Sequence, residues 1–186
     1  MVFLGVRRPY KGFDVLVAAA RFLPAACRVV IVGGGERRAE LEAQVRQHQV
    51  ADRVVLAGRL GDDALRALFQ SAAIFCLPSV SRAEAFGVVL LEAMAHGLPI
   101  VASDIAGSGV PWVSQHDVTG LNVPIGDAQA LAAALSQLLA DPARRDRMGR
   151  ESRRRFEAEF TAALASRRML DLYGSLAGAR VGELAA

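Results

Sequence analysis

The sequence R-V-V-I-V-G-G-G-E, residues 28–36, decides the fold of this chain. Its segment Val29–Val32 is apolar at every position rather than at alternate ones, which is typical of a parallel strand buried on both faces. Three glycines, Gly33 to Gly35, close the run, and a helical pattern begins at Glu36. The stretch therefore predicts a strand, a tight turn and a helix, in that order.

The same alternation continues on both sides of this stretch. Strands are predicted at residues 2–6, 28–32, 53–57, 73–77, 99–102 and 119–123, and helices at 13–23, 36–48, 62–71, 87–95, 128–139, 142–159 and 161–175. Strict alternation of strands and helices indicates an α/β fold with a doubly wound, Rossmann-like parallel sheet. We expect a single domain over residues 1–176, with extra C-terminal helices, and a disordered tail at 177–186.

Composition excludes several classes of protein. The chain has 186 residues, of which 53% are apolar and 22% are charged, so it can bury a core and is not disordered throughout. A net charge of +3 is too small to argue for nucleic acid, and we expect no nucleic-acid partner. Cys27 and Cys76 lie in apolar runs, as buried thiols in a reducing compartment do. No apolar run approaches the roughly 18 residues of a membrane span, and no signal-peptide pattern is present, so we expect a cytoplasmic protein.

Ligands of doubly wound sheets bind at the carboxyl ends of the strands, so the loops there are the candidate sites. The turn Gly33 to Gly35 does not fit a dinucleotide fingerprint, because Arg38 occupies the position of the third small residue. It is either a turn near a phosphate or simply a tight turn. Arg7, Arg8 and Lys11 follow the first strand, where cations either attract phosphate or form a solvated basic loop. Lys11 is the one lysine in a chain that otherwise uses arginine.

The most informative loop and helix are residues 81–97, S-R-A-E-A-F-G-V-V-L-L-E-A-M-A-H-G. Glu84 ends the loop, and a helix is predicted from Gly87. The first amides of that helix, near Val88 and Val89, lack intrahelical partners and form an anion site together with the helix dipole. Glu92 lies about one turn further on. Two carboxylates flanking free amides suit a ligand with phosphates between hydroxyl groups; the alternative is a capped helix with ordinary surface acids.

The remaining polar patterns point to no metal. His48, His96 and His116 are far apart in the sequence and lack ligand spacing, and His96 before Gly97 is predicted to end a helix. The basic run contains Arg144, Arg145, Arg147, Arg150, Arg153, Arg154 and Arg155. Such a run is usually a solvated helix face, and peripheral contact with the inner face of an anionic membrane is the alternative.

Five segments in order resemble one known family. Residues 84–92 resemble the E-x7-E motif of retaining glycosyltransferases, and 81–99 resemble the nucleotide-sugar domain of glycosyltransferase family 4, which has the GT-B fold. Upstream, Y-K-G-F-D-V-L resembles K-G-x-D-x-L, V-I-V-G-G-G-E resembles V-G-x-G-P, and R-V-V-L-A-G-R-L resembles F-x-G-x-V. Downstream, T-G-L-N-V-P resembles T-G-x-L-V-P. The resemblance covers residues 2 to about 176.

The resemblance implies a role for each matching residue. Lys11 would bind the donor diphosphate, and Glu84 would contact the transferred sugar; both would be catalytic. The amides from Phe86 through Gly87 and Val88 to Val89 would hold sugar and phosphate. Glu92 would accept hydrogen bonds from the ribose. Gly33 and Gly35 would belong to the donor site, with Arg59 and Leu60 beside the base. The substrate would be a UDP-type or GDP-type sugar, with no cofactor and no metal.

Two departures from the family pattern affect these roles. Where the family has an arginine five residues before the lysine, this chain has Val6, so either Arg7 or Arg8 supplies the charge or that contact is absent. The family's N-terminal acceptor domain is missing from this chain, so we expect a donor-binding half that is inactive in transfer by itself. A GT-B epimerase or phosphorylase domain and a non-catalytic nucleotide-sugar binding module are the alternatives.

Overall fold

The six strands form one parallel sheet. The computed structural model describes the backbone of residues 2–4 and 9–184 and the side chains of residues 10–176. The strands are β1 (Val2–Leu4), β2 (Val29–Val32), β3 (Val54–Gly58), β4 (Phe75–Leu77), β5 (Ile100–Ser103) and β6 (Gly120–Val123). Their order in the sheet is β3-β2-β1-β4-β5-β6, and each neighbouring pair is parallel. The predicted doubly wound sheet is confirmed.

The helices flank the sheet. They are α1 (Phe13–Ala20), α2 (Arg38–Gln47), α3 (Asp62–Ser71), α4 (Val88–Ala95), α5 (Val110–Val113), α6 (Ala128–Ala140), α7 (Pro142–Glu159) and α8 (Ala162–Leu184). Helix α1 packs against α2 and α6, and α4 packs against α7. The strand order reverses direction between β1 and β4, so the chain leaves a crevice at the carboxyl ends of these two strands.

The centre of the sheet is the most deeply buried part of the core. Every residue of β4 and β5 is buried, because both lie inside the sheet with helices packed over them. Cys27 and Cys76 are free and buried, as predicted, and burial raises the pKa of both thiols. A raised thiol pKa keeps the sulfur protonated and inert at neutral pH.

Most predicted boundaries agree with the structure to within a few residues. Helices α3 and α7 begin and end where the sequence predicts. Two short elements are not predicted, the 3-10 turn Pro9–Lys11 and α5, because each is too short to show periodicity. The sequence predicts that the last helix ends near residue 175, whereas α8 continues to Leu184 through residues proposed as tail. The domain boundary at residue 176 stays a prediction.

Helix α8 exposes several large apolar side chains among its described residues. The side chains of Met169, Leu170, Leu172, Tyr173 and Leu176 are each more than half exposed. Leu164 lies nearer the start of the helix and is only partly exposed. An exposed row of this kind is typical of a surface that meets another protein segment.

A close backbone contact joins the loop after β1 to the loop after β4. Gly12 has a φ of +66°, and a Cβ built on it would lie 1.9 Å from the carbonyl oxygen of Pro78. One step away, the Val80 amide donates to the Tyr10 carbonyl over 2.7 Å. The contact requires a residue with no side chain, and it fixes Lys11 beside the end of β4.

Gly12→Ala should therefore destabilise the fold strongly. The methyl group would overlap the Pro78 carbonyl, and alanine would also be strained at positive φ, so we expect a loss of about 3 kcal/mol or more. Gly126→Ala is the matched control, because Gly126 has a φ of +74° but open space around it, and it should cost only about 1–2 kcal/mol. Urea unfolding of both variants measures the difference, and equal losses would contradict the role of the contact.

Candidate functional site

One cleft lies in the crevice between the ends of β1 and β4. Its volume is about 410 Å³. The residues that line it are Lys11, Glu84, Ala85, Phe86, Gly87, Val88, Val89 and Glu92. The structure thus brings together seven of the residues that the sequence predicts as functional, from the 3-10 turn, the loop after β4 and the start of α4.

An ion pair crosses the base of the cleft. Lys11 Nζ lies 2.5 Å from Glu84 Oε2, and their side chains are only 12% and 9% exposed. Ser79, which is fully buried, donates its hydroxyl to the same Glu84 oxygen over 2.9 Å. Lys11 Nζ also lies 5.2 Å from the centre of the Tyr10 ring. Glu84 Oε2 therefore accepts two hydrogen bonds at a point from which water is largely excluded.

The backbone around Glu84 is held just as firmly. Ser108 Oγ donates to the Glu84 carbonyl over 2.6 Å and accepts from the Val110 amide over 3.1 Å. The Gly109 amide donates to the Ala85 carbonyl over 2.7 Å. The loop after β5 therefore fixes the loop after β4, and it fixes the position of Glu84 relative to the sheet.

Helix α4 begins at the cleft with its amides uncapped. Gly87 precedes it with a φ of +76°, and no side chain caps the helix. The amides of Val88 and Val89, in the first turn, have no carbonyl one turn earlier in the helix to bind. Both residues line the cleft, so these amides and the positive end of the helix dipole lie at its wall. Such a wall favours an anion.

Glu92 lies one turn further along α4, at the mouth of the cleft. The surrounding protein excludes part of the water from its carboxyl, and this desolvation raises the pKa of Glu92, although the neighbouring His96 opposes the shift. His96 ends α4, as predicted. Its Nδ1 lies 2.8 Å from the Glu92 carbonyl oxygen, and its ring stacks on Phe69 with centroids 4.8 Å apart.

The other predicted site residues that the structure describes, Gly33, Gly35, Arg59 and Leu60, do not line this cleft. Gly33 and Gly35 have φ values of +133° and +139° in the turn after β2, and the Gly33 amide donates to the Gly58 carbonyl over 2.6 Å. The Arg59 side chain covers that turn, since a Cβ on Gly34 would lie 2.7 Å from Arg59 Nε.

Leu60, Arg7 and Arg8 complete the predicted set. Leu60 follows Arg59 and does not line the cleft. Arg7 and Arg8 lie outside the described residues, so the choice between them stays open.

Sequence reasoning missed Ser79 and Ser108, which hold Glu84 through its carboxylate and its carbonyl. Ser79 had a weak signal, because it is a polar residue directly after the buried strand β4 and Pro78. Ser108 had none, because the contact joins residues 24 positions apart.

An aromatic cluster lies beside the cleft. The Phe86 ring is 6.0 Å from Trp112 and 6.3 Å from Phe160, and the rings of Trp112 and Phe160 are 5.3 Å apart. Arg155 lies over both Trp112 and Phe160 and donates to the carbonyls of Trp112 and Val113. The cluster connects the cleft to the junction of α7 and α8.

Several arginines of α7 have partners within the chain. Arg144 pairs with Asp117, Arg153 with Glu157 and Arg154 with Glu151. Much of the basic run is therefore neutralised locally. None of the described helices is both long enough and apolar enough to cross a membrane. Among the described residues, no three His, Cys, Asp or Glu side chains are grouped to hold a metal ion.

Comparison with known proteins identifies the family. The family described as "Glycosyl transferases group 1" matches residues 1–155. The chain belongs to the group 1 glycosyl transferases. The predicted family and GT-B fold are thereby confirmed.

Curated relatives of this group 1 domain are named as sugar transferases. The chain is 38% identical to O-antigen chain mannosyltransferase C of Escherichia coli, over 94% of this chain and 45% of the relative. It is 37% identical to the D-rhamnosyltransferase WbpZ of Pseudomonas aeruginosa, over 87% of this chain and 41% of the relative. The chain therefore spans less than half the length of these relatives.

Solved structures show the same fold. Sucrose-phosphate synthase from Thermosynechococcus elongatus superposes with a TM-score of 0.87 at 33% identity, over 96% of this chain and 45% of that one. Alr3699/HepE from Anabaena, solved with UDP-glucose, superposes with a TM-score of 0.86 at 23% identity, over 94% of this chain and 48% of that one.

Glu92→Gln should stabilise this group 1 domain in a pH-dependent way. The raised pKa means that charging Glu92 costs more in the folded than in the unfolded state. This cost is absent well below the ordinary glutamate pKa of about 4.3 and is complete above the raised pKa. The variant should therefore gain in Tm over the native chain at pH 8 but not at about pH 3. Glu36→Gln, which neutralises an exposed carboxylate outside the cleft, is the matched control; a pH-independent gain for Glu92→Gln would contradict this account.

Proposed function

We propose that this domain is the donor-binding half of a retaining glycosyltransferase. The whole enzyme transfers a sugar from a nucleoside-diphosphate sugar to a glycan, lipid or small-molecule acceptor. One observation carries the proposal: a single cleft holds Lys11, the uncapped amides of α4 and two carboxylates, Glu84 and Glu92. The cation and the amides suit phosphate, and the carboxylates suit hydroxyl groups on either side of it.

Each residue of the cleft then has a role. Lys11 and the amides from Phe86 to Val89 bind the diphosphate. Glu84 accepts hydrogen bonds from the transferred sugar, and Glu92 accepts them from the ribose.

The turn after β2 forms the side of the site that contacts the nucleobase of the donor. Gly33 and Gly35 form this wall with Arg59 and Leu60, and the packing of Arg59 over Gly34 supports this assignment. At the position where the family has an arginine this chain has Val6, so either Arg7 or Arg8 adds a second cation to the diphosphate or that contact is absent.

The proposed chemistry follows from the negative charge that develops on the leaving diphosphate. The bond between the anomeric carbon and the diphosphate oxygen breaks, and the electron pair goes to that oxygen. Lys11 and the α4 amides stabilise the developing negative charge, which is the main electrostatic task in such a reaction. The leaving phosphate accepts the proton of the attacking acceptor hydroxyl on the same face, so configuration is retained. We propose that no metal takes part, because the sequence contains no Asp-x-Asp pair.

The donor is a UDP-type or GDP-type sugar. A GDP-mannose-dependent mannosyltransferase of Mycobacterium tuberculosis is 35% identical to the chain, and Alr3699/HepE is solved with UDP-glucose. Relatives of both kinds support either base.

A second domain supplies the acceptor side. The chain spans 45% of the E. coli mannosyltransferase to which it is similar, and α8 presents an apolar row for such a contact. We propose that the protein lies in the cytoplasm, with peripheral contact to the inner membrane face through the arginines of α7 that have no acidic partner among the described residues. No nucleic-acid partner is proposed.

Lys11→Ala should weaken nucleotide binding. A charge-assisted contact contributes about 1.5–3 kcal/mol, so Kd for UDP or GDP should rise about tenfold or more. Arg66→Ala, which removes a positive charge from α3 outside the cleft, should leave Kd unchanged. Calorimetric titration measures both, and repeating it with a chelator should give the same Kd. Equal affinity of Lys11→Ala and the native chain would contradict the proposed site.

The chain alone should bind donor without transferring sugar. Transfer requires donor and acceptor in near-attack geometry, and in a two-domain enzyme cleft closure provides that geometry and expels water. An assay of transfer and donor hydrolysis, with any donor shown to bind, tests this. Binding without turnover, restored by adding the acceptor domain, is expected; sustained transfer by this chain alone would contradict it.

A further inference from the structure

The ion pair at the base of the cleft limits the positive charge that the cleft can offer to a diphosphate. Lys11 is the one cation among the described residues that line the cleft, and it is already paired with Glu84. Glu92 adds a second negative charge at the mouth. A diphosphate that enters must therefore share Lys11 with a buried carboxylate 2.5 Å away.

The two oxygens of Glu84 are not equivalent. Oε2 accepts from Lys11 Nζ and from the buried Ser79 hydroxyl, so it is fully engaged. No described residue donates to Oε1, and Glu84 lines the cleft. Oε1 therefore remains the acceptor for a hydroxyl group of a ligand, while Oε2 holds Lys11.

We propose that Glu84 is the residue that sets the preference of the cleft for a nucleoside-diphosphate sugar over the nucleoside diphosphate without a sugar, which is called here the bare diphosphate. Its charge repels any diphosphate and competes with it for Lys11. A sugar hydroxyl that donates to Oε1 offsets this repulsion, because a hydrogen bond to a charged acceptor is a strong one. A bare diphosphate has no transferred sugar, so no sugar hydroxyl donates to Oε1 and nothing offsets the repulsion by Glu84. This inference rests on the proposed function.

The same arrangement favours product release. While the sugar is attached, Oε1 holds a hydroxyl donor. After transfer the sugar belongs to the acceptor, and the diphosphate, which has taken the acceptor's proton, gains one negative charge once that proton passes to water. The Glu84 carboxylate, held in place by Ser79 and Lys11, then opposes the product that remains. With Glu84 in one fixed position, the cleft thus binds the donor more tightly than the nucleoside diphosphate product.

The test is titration of the chain with UDP, GDP, UDP-glucose and GDP-mannose. Glu84→Gln keeps the side-chain shape but removes the charge, so it should bind the bare diphosphate about tenfold more tightly. The sugar-bearing form should gain less, because the neutral amide of the variant is a weaker acceptor for the hydroxyl group than the carboxylate. The ratio of the two affinities should therefore fall.

A double variant tests whether the effect acts through Lys11. If Glu84 competes for that lysine, Lys11→Ala with Glu84→Gln should gain little over Lys11→Ala alone. Asp63→Asn removes an exposed negative charge from α3 and should change neither affinity by more than about twofold. Glu92→Gln removes the other carboxylate of the cleft. It should weaken diphosphate binding through loss of the ribose contact, whereas Glu84→Gln should strengthen it.

The outcomes separate the inference from the function it rests on. If the native chain binds a diphosphate and folded Glu84→Gln binds it equally or more weakly, the inference is wrong and the proposed function stands. If neither the native chain nor any variant binds any of the four ligands, the proposed function is wrong and the inference with it. Should Glu84→Gln fail to fold, Glu84→Asp withdraws the carboxylate from Lys11 and should give a smaller gain of the same sign; no gain would overturn the inference.

Discussion

The site depends on one close contact, the packing of Gly12 against the carbonyl of Pro78. It joins the loop after β1 to the loop after β4 at the point where the strand order reverses. Lys11 comes from the first loop and Glu84 from the second, 73 positions apart in the sequence. Without the contact, the side chains of Lys11 and Glu84 would lie in the same crevice, but the distance between them would not be fixed. The absence of a side chain at Gly12 thus determines the charge arrangement of the cleft.

Much of the fold could be predicted because it follows from local patterns. Continuous apolar runs identify strands buried on both faces, and the alternation of runs and helical stripes gives the parallel topology. Glu84 and Glu92 could be placed at one cleft because eight residues spanning a loop and the first helical turns leave little freedom. The helix start at Gly87 could be predicted because a glycine precedes an apolar stripe.

The rest depends on contacts that no local pattern encodes. The pairing of Lys11 with Glu84 and the Ser108 hydroxyl at the Glu84 carbonyl join loops that follow different strands of the sheet. The Ser79 hydroxyl reaches Glu84 Oε2 within the loop after β4, five positions away, at a spacing that matches no helix or strand. Motif spacing could name Lys11 and Glu84 as separate binders of phosphate and sugar, but it could not show that they contact each other. Arg59 lies over the glycine turn for the same reason, since β2 and β3 pair only in the folded sheet.

A cleft of this kind works against the stability of its own fold. Desolvation raises the pKa of Glu92, so its charge is held at a cost, and the Lys11–Glu84 pair is held where water is largely excluded. Hydrogen bonds from Ser79 and Ser108 and the aromatic cluster around Phe86 offset that cost by fixing the loop that carries Glu84. The cluster also connects this loop to the junction of α7 and α8. The rings of Phe86, Trp112 and Phe160 therefore tie the loop that carries Glu84 to the end of α7, from which α8 and its exposed apolar row extend.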